Sequence, residues 1–580
     1  MWRSTSGLIL ALCLSTLPWR IKAYKCPETC SCIDTEYNCR RGSQTEIQAN
    51  IPSHTTILNL ELNQVDHVGR LSNLPELQKL ILSHNVINEV VEGALDDLRQ
   101  LRDLRFDNNN ITALPRNIFC GLQNLSHIDL HSNRLPSLPK NLFSCSNSHN
   151  LLAKLTNSQG MRSAHLEEKF PNNLIYLDLH DNRLTALPDG IFNHSYNLLY
   201  LNISQNELTS LPEGIFGGLR KLKHLILNDN ELSSTSLPVT AFYGLCDLEH
   251  INLARNEITS LPDAIFRRLE SLQRLDLQGN GLTSLPDTVF PTFGNLQYLD
   301  LSDNAVSSLS KNTLNGLSKL LYLSLGSNKF KTMPGSIFKS LTNLMYLNLQ
   351  NNELKTISGD TDGARDNSTS ILKGLTKLRI LYLDSNSLTS LPENAFEGLN
   401  NLSYLNVSSN TITILPDNVI NGLNELYYLD ISDNSLTSLS GNILNNFTNF
   451  LDRGARKATN SLGGDAIGQP SQAYLRIDGN PWSCDCGLRE LSRWLRENVE
   501  RLPPESRNMT CWSPAYYEGS YILKASLADL TCRGTPVSEA FFQTNTNITI
   551  TIGVLLATIA ASFAGGVFCI GMICCFCCKR

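Results

Sequence analysis

Apolar residues recur along most of this chain in a fixed order, L-x-x-L-x-L-x-x-N, with the asparagine at 85, 109, 133, 182, 206, 230, 256, 280, 304, 328, 352, 386, 410, 434 and 480. Most intervals are 24 residues. The L-x-L segment alternates apolar and polar positions, the period of a short strand whose leucines point inward while the x residues face out. One such unit cannot bury its apolar face alone, so the repetition predicts coils stacked on one another with their strands in a parallel ladder. Each asparagine ends a strand, where its amide offers a donor and an acceptor to peptide groups that would otherwise be buried unpaired. Ten residues further on runs a second apolar column, Phe119, Phe143, Phe192, Phe216, Phe266, Phe290, Phe338 and Phe396, expected to fill the convex half of the core. A degenerate copy, Leu60-Glu61-Leu62, precedes these, with Val65 read in the asparagine position. The expected fold is an α/β solenoid of about 16 coils with a parallel strand ladder on its concave side.

Coils stacked this way leave apolar edges at both ends unless something covers them. Cys26-Pro27-x-x-Cys30-x-Cys32-x6-Cys39 stands before the first repeat. After the last come Pro481-Trp482-x-Cys484-x-Cys486, a helix-like Leu488 to Leu495, Cys511 and Cys532. With the 24-residue period, these blocks resemble the extracellular leucine-rich-repeat family with cysteine-rich caps, similar to Toll-type receptor ectodomains, Slit-type proteins and the variable lymphocyte receptors. The resemblance covers residues 26 to 532 and implies a horseshoe. It further implies pairing of Cys26 with Cys32, Cys30 with Cys39, Cys484 with Cys511 and Cys486 with Cys532, a connectivity that spacing alone leaves open. Outside the caps, Cys120 and Cys145 lie one coil apart, a separation that permits a bridge, which leaves Cys246 as an expected buried free thiol.

The ends of the chain read as targeting and anchoring segments. Arg3, an uncharged run from Leu8 to Leu17 and Ile21-Lys22-Ala23 read as a signal peptide over 1–23. No charge occurs between Glu539 and Lys579, and an apolar segment over 550–575 is long enough for one transmembrane helix. Lys579 and Arg580 then place the tail, 576–580, in the cytoplasm, giving a single-pass type I protein of the plasma membrane with its ectodomain outside. A glycolipid-anchor signal is the competing reading of the same segment. Cys574, Cys575, Cys577 and Cys578 fall at the inner leaflet as palmitoylation candidates. Between the ends, the domains read as an N-terminal cap over 24–50, repeats over 51–480, a C-terminal cap over 481–533 and a stalk over 534–549. Three long intervals mark insertions near 144–173, 358–370 and 446–473, expected as loops. The middle one carries Asp360, Asp362 and Asp366 but lacks the further carboxylates and terminal Glu of a calcium loop.

Composition adds mainly exclusions. With 48 Lys and Arg against 54 Asp and Glu, the net charge of -6 supplies no basic field for a phosphate backbone, so nucleic acid is not an expected partner. No nucleophile with a base, metal cluster or phosphate cradle has usable spacing, so no enzyme activity and no cofactor are expected. His224 and His250, from adjacent strands, lack a third ligand, so no metal is expected.

The candidate chemistry lies on the concave face. There the leading x position of the strands includes His224, His250, Arg274, Tyr298, Tyr322 and Tyr346, and the next column holds Asp276, Asp300, Ser324 and Asn348. Eight of its fifteen positions are tyrosine, a residue that brings apolar area and a hydroxyl at low entropic cost. Stacked rings also cover the ladder, so the column has a structural reading as well. Glycosylation sequons stand at Asn110, Asn124, Asn193, Asn202, Asn367, Asn401, Asn406, Asn446, Asn508 and Asn547. Asn202 and Asn406 fall on the strands themselves, where glycans would fence a bare stretch from Leu222 to Leu383. The ligand site is therefore expected at Tyr298, Tyr322, Tyr346, His224, His250, Arg274, Asp276 and Asp300, facing an extracellular protein or glycan. With only two charged residues expected inside the cell, signalling would pass through a membrane co-receptor. The alternative is an immune recognition molecule resembling the variable lymphocyte receptors.

Overall fold

The computed structural model describes residues 26–140, 142–143, 173–290, 294–359, 370–460, 473–524, 531–532 and 535–536. The chain forms two compact units, Met1–Asp276 and Leu277–Arg580. In the N-terminal unit a hairpin, Ser31–Ile33 against Glu36–Asn38, starts the fold. Its second strand pairs in parallel with Ile57–Asn59, and parallel pairing then runs coil by coil to Arg274–Asp276. The C-terminal unit repeats the arrangement from Tyr298–Asp300 to Tyr474–Arg476. Each ladder strand is three residues long with its central residue buried, as the L-x-L alternation requires.

The asparagines hold coil to coil. Asn109 Nδ2 donates to the Phe106 carbonyl of its own coil and to Leu82 of the coil before, while its Oδ1 accepts from the Ile87 N–H. The degenerate first copy is registered two residues earlier than Leu60-Glu61-Leu62 suggests. Its strand is Ile57–Asn59, and Asn63, not Val65, fills the asparagine position, donating to the Cys39 and Leu60 carbonyls and accepting from the Gln44 N–H. The buried Thr55 replaces the first leucine there, which hides the pattern.

The return side corrects the α/β expectation: the coils are a β-solenoid. Between Leu211 and Leu222 the chain makes successive turns, Ile215 N–H to Pro212 O, Gly217 N–H to Gly214 O and Leu219 N–H to Phe216 O. A proline and a left-handed glycine, Gly214 at φ 65°, leave this segment no room for a helix. The phenylalanine column is buried, and its rings stack from Phe119 to Phe143 at 5.9 Å and from Phe192 to Phe216 at 6.1 Å. Phe242 joins it, stacked on Phe266 at 5.9 Å. It escapes the count of ten because the interval from Asn230 to Asn256 is 26 residues.

The expectation of a loop near 446–473 also fails at its start. Helix Gly441–Asn460 opens with Ser440 as N-cap, whose Oγ accepts from the Ile443 N–H. It buries Ile443, Leu444, Phe447, Phe450 and Leu451, one stripe of a helix. This stripe packs on the cap helix Arg489–Asn498, which buries Leu491, Trp494 and Leu495. Cys26 is bonded to Cys32, Cys30 to Cys39 and Cys484 to Cys511. Cys120 is also disulfide-bonded, and its expected partner Cys145 lies outside the described residues. The proposed Cys486 to Cys532 pair rests on side chains outside them too. Cys246 is free but exposed, contrary to the expected burial, because it sits in a return turn one residue after the inward-facing Leu245. Among the described residues no helix is long and apolar enough to cross a membrane. The expected signal peptide, the 550–575 segment, Asn367, Asn547 and Cys574 to Cys578 lie outside those residues.

Candidate ligand-binding face

In the C-terminal unit the first residue of each strand places its ring over the ladder. Tyr298, Tyr322 and Tyr346 are half-buried and stack nearly parallel, each centroid 4.2 Å from the next. The hydroxyl of Tyr298 donates to Asp300 Oδ2 at 3.2 Å. Asp300 is itself held by the N–H and hydroxyl of Ser302, both on its Oδ1. Burial, followed by the charge of Asp300, pushes the Tyr322 hydroxyl far above its ordinary range. Burial and the neighbouring Tyr322 do the same to Tyr346. These phenols therefore stay neutral and present an aromatic surface with O–H groups.

Ile380 interrupts the column, yet the stack does not end there. Tyr382, two residues along the same strand, turns its ring to within 5.7 Å of Tyr346 and 4.9 Å of Tyr404, and the series continues through Tyr428 to Tyr474. Sequence reasoning missed Tyr382 because it stands in the column of Asp300 and Ser324; its signal was the aromatic two residues after the only aliphatic in the series.

The other expected site residues belong to the N-terminal unit. His224 and His250 meet edge to face at 5.9 Å. Burial, then the charges of Arg274 and His224, drives His250 down to about 4, so it is neutral, and its buried Nε2 has no hydrogen-bond partner. Arg274 is exposed and lies 3.7 Å from Asp276. The acidic column does not meet solvent as expected: Asp276 and Asp300 are both buried. In this strand the third residue tucks beneath the ring of the first, and Asp300 holds the Tyr298 hydroxyl.

Asn202 is more enclosed than its strand position suggests. It is buried at 8% exposure, its Oδ1 accepts from the N–H and hydroxyl of Ser204, and Nδ2 lies 3.4 Å from Asp178. In this arrangement the Asn202 amide lies between Asp178 and Ser204 and does not stand clear of the concave face. Asn406 is less enclosed, and Asn193, Asn401 and Asn508 are exposed. Asn110, Asn124 and Asn446 are half-buried, and Asn446 Nδ2 donates to the Asp417 carbonyl.

Where strands end, the N-terminal unit also gathers side chains with ligand chemistry. His131, Asp178 and His180 form one set and Asp107, Asp129 and His131 another, the ligand atoms in each lying within 4.8 Å of one another. Their signal in the sequence is the recurring D-L-H before the ladder asparagines, Asp129-Leu130-His131 and Asp178-Leu179-His180, which lies outside the ring column.

Profiles of known repeats match over residues 99–152, 172–232, 233–282, 271–330, 318–362 and 370–447, under the description leucine rich repeat, which is more than half of the chain. The chain belongs to the leucine-rich-repeat family. Among leucine-rich-repeat relatives, leucine-rich repeat-containing protein 3 of Rattus norvegicus is 35% identical over 71 residues, covering 11% of this chain and 28% of that protein. The match thus spans under a third of the relative's length. A leucine-rich-repeat protein of Leptospira interrogans aligns at a TM-score of 0.58 with 29% identity, over 77% of this chain and 94% of the other. The Drosophila Toll structure, solved as a Toll–Spatzle complex, aligns at 0.60 with 22% identity, over 82% and 60%, a likeness of fold alone. The matched family model describes a structural repeat and indicates no enzymatic family.

Proposed function

We propose that this chain is a cell-surface leucine-rich-repeat receptor or adhesion protein that binds an extracellular protein or glycoconjugate through the tyrosine ladder of its C-terminal unit. The observation that carries this reading is the stack of Tyr298, Tyr322 and Tyr346. Three rings are held at 4.2 Å spacing, and a buried Asp300 fixes the first. A partner binding there finds side chains that are already ordered, so little rotamer entropy remains to be lost. Tyrosine surfaces of this kind suit both protein contacts and the apolar faces of sugars. Disulfide-bonded ends support an extracellular setting. Toll, of like fold, was solved with Spatzle bound. In this reading the 550–575 segment anchors the chain and an associated membrane protein carries the signal inward.

The test compares cells displaying the full chain with cells displaying the Tyr298→Ala, Tyr322→Ala, Tyr346→Ala triple variant. Both are offered a panel of the animal's own cells and a panel of microbial surfaces. Saturable binding that the triple variant loses at equal surface display supports the reading, and the panel that binds separates adhesion or receptor pairing from immune recognition. Equal binding by a folded triple variant would overturn it.

A further inference from the structure

The C-terminal cap carries an aromatic face that is open to solvent. From Asn508 to Trp512 the chain alternates: Met509 and Cys511 are buried, while Asn508, Thr510 and Trp512 are exposed, the pattern of an extended segment lying on a core. Cys511 is bonded inward to Cys484, and the Trp512 N–H donates to the Trp482 carbonyl at 2.9 Å. Residues 519–522 run back alongside. The Cys511 N–H donates to the Ser520 carbonyl at 2.8 Å and the Ile522 N–H to that of Met509 at 2.9 Å, so Thr510 and Tyr521 pair antiparallel between these bonds. Side chains of such a pair point to the same side and lie close together. The outer face therefore gathers Thr510, Tyr521 and Trp512, with Trp512 67% and Tyr521 43% exposed. The Lys524 ammonium stands 4.9 Å from the Tyr521 ring centroid, which leaves the indole as the larger open surface.

The same exposed row begins with a glycosylation sequon, Asn508-Met509-Thr510. Trp512 follows Asn508 at about 13 Å of extended chain, within reach of a branched core of several sugars. We propose that an N-linked glycan on Asn508 lies along this row, its first sugars against Thr510 and Tyr521 and the next over the Trp512 ring, so that the glycan forms part of the cap. The C–H faces of pyranose rings are apolar and their hydroxyls stand at the rim. A sugar stacked on an indole therefore buries apolar area on both partners without stranding polar groups. Attachment joins Asn508 Nδ2 to the anomeric carbon of a lipid-diphosphate-linked oligosaccharide. The bond from that carbon to the diphosphate oxygen breaks, and one amide proton passes to the released diphosphate. This inference rests on the extracellular setting proposed above and not on the tyrosine ladder.

The test uses the full chain made in cells that add N-glycans. Mass spectrometry reads occupancy at each sequon, and acrylamide quenching of tryptophan fluorescence reads the cover over Trp512. Among the described residues Trp482 and Trp494 are buried and Trp512 is exposed. Subtracting the signal of Trp512→Phe isolates this ring from every other tryptophan. The expected result is an occupied Asn508 and a shielded Trp512, with the shielding lost in Asn508→Gln and Thr510→Ala and kept in Thr510→Ser, which preserves the sequon. Enzymatic removal of the glycan from the folded parent chain must lose the same shielding, which keeps the test decisive if a variant fails to fold. Glycans at other sequons with none at Asn508, or quenching of Trp512 that glycan removal leaves unchanged, would overturn this inference alone. A chain with no N-glycan at any sequon would overturn it together with the extracellular reading.

Discussion

Asn352 satisfies backbone groups in two coils with a single amide. Its Nδ2 donates to the carbonyls of Leu325 and Leu349, and its Oδ1 accepts from the Phe330 N–H at 3.1 Å. These groups are enclosed, so removing the amide leaves them without partners, and each orphan costs on the order of 1–3 kcal/mol. We expect Asn352→Ala to destabilise its coil by about 3 kcal/mol or more, read as faster deuterium exchange at Phe330 and Tyr346. Exchange no faster than in the parent chain would show that water replaces the amide. The residue before the asparagine is equally constrained, as Ser327 at φ 51° and Asn351 at φ 52° are left-handed without being glycine. The asparagine rule was legible because one residue type recurs wherever buried peptides turn. This conformation was not, since Ser, Asp, Gln, Arg and His all occupy it and only the packed turn enforces it. The same limit hid the fate of Asp300 and Asn202: alternation places them on the outer face, but neighbouring rings and hydroxyls decide how much of that face meets water.

At the level of elements, the coils were legible and the helix Gly441–Asn460 was not. A repeat announces itself by recurrence, whereas a single helix must be recognised from one stripe. Here the stripe of Ile443, Leu444, Phe447, Phe450 and Leu451 sits just ahead of a polar, glycine-containing stretch that reads as a loop. Its packing against the cap explains why it forms. Phe447 meets Trp494 edge on, with centroids 6.2 Å apart, and the Trp494 indole N–H donates to Thr448 Oγ1 at 2.8 Å. Arg501 adds an ion pair to Asp452 at 2.7 Å. Truncating the fully buried Phe447 to Ala should cost about 3–5 kcal/mol, most of it in this helix and the cap beneath it. Tryptophan fluorescence during thermal unfolding would show an early transition in the variant, ahead of loss of the strand signal. A single transition with unchanged midpoint would mean that the helix is not integral to the cap.

For the whole molecule, stability is distributed along the chain and not gathered in one core, since every coil contacts only its neighbours. The ends are then the weak points, because a terminal coil has one neighbour in place of two. At the start, the hairpin that covers strand Ile57–Asn59 is closed by the Cys26–Cys32 and Cys30–Cys39 bonds. At the far end the Cys484–Cys511 bond closes a span of 27 residues over the last coil. Chain entropy assigns such bonds roughly 2–4 kcal/mol each, with the longer span worth more. Each bond acts at its own end and coils contact only their neighbours, so reduction should not melt the molecule at once. Under mild reduction of the full chain, amide protection should fall first at Ile57–Asn59 and at Tyr474–Arg476, while inner strands such as His224–Ile226 and Tyr346–Asn348 keep theirs. Stronger reduction, reaching Cys120, should then release the coils around it. Simultaneous loss at end and inner strands would show instead that each unit unfolds as one cooperative body and that the caps do more than cover its edges.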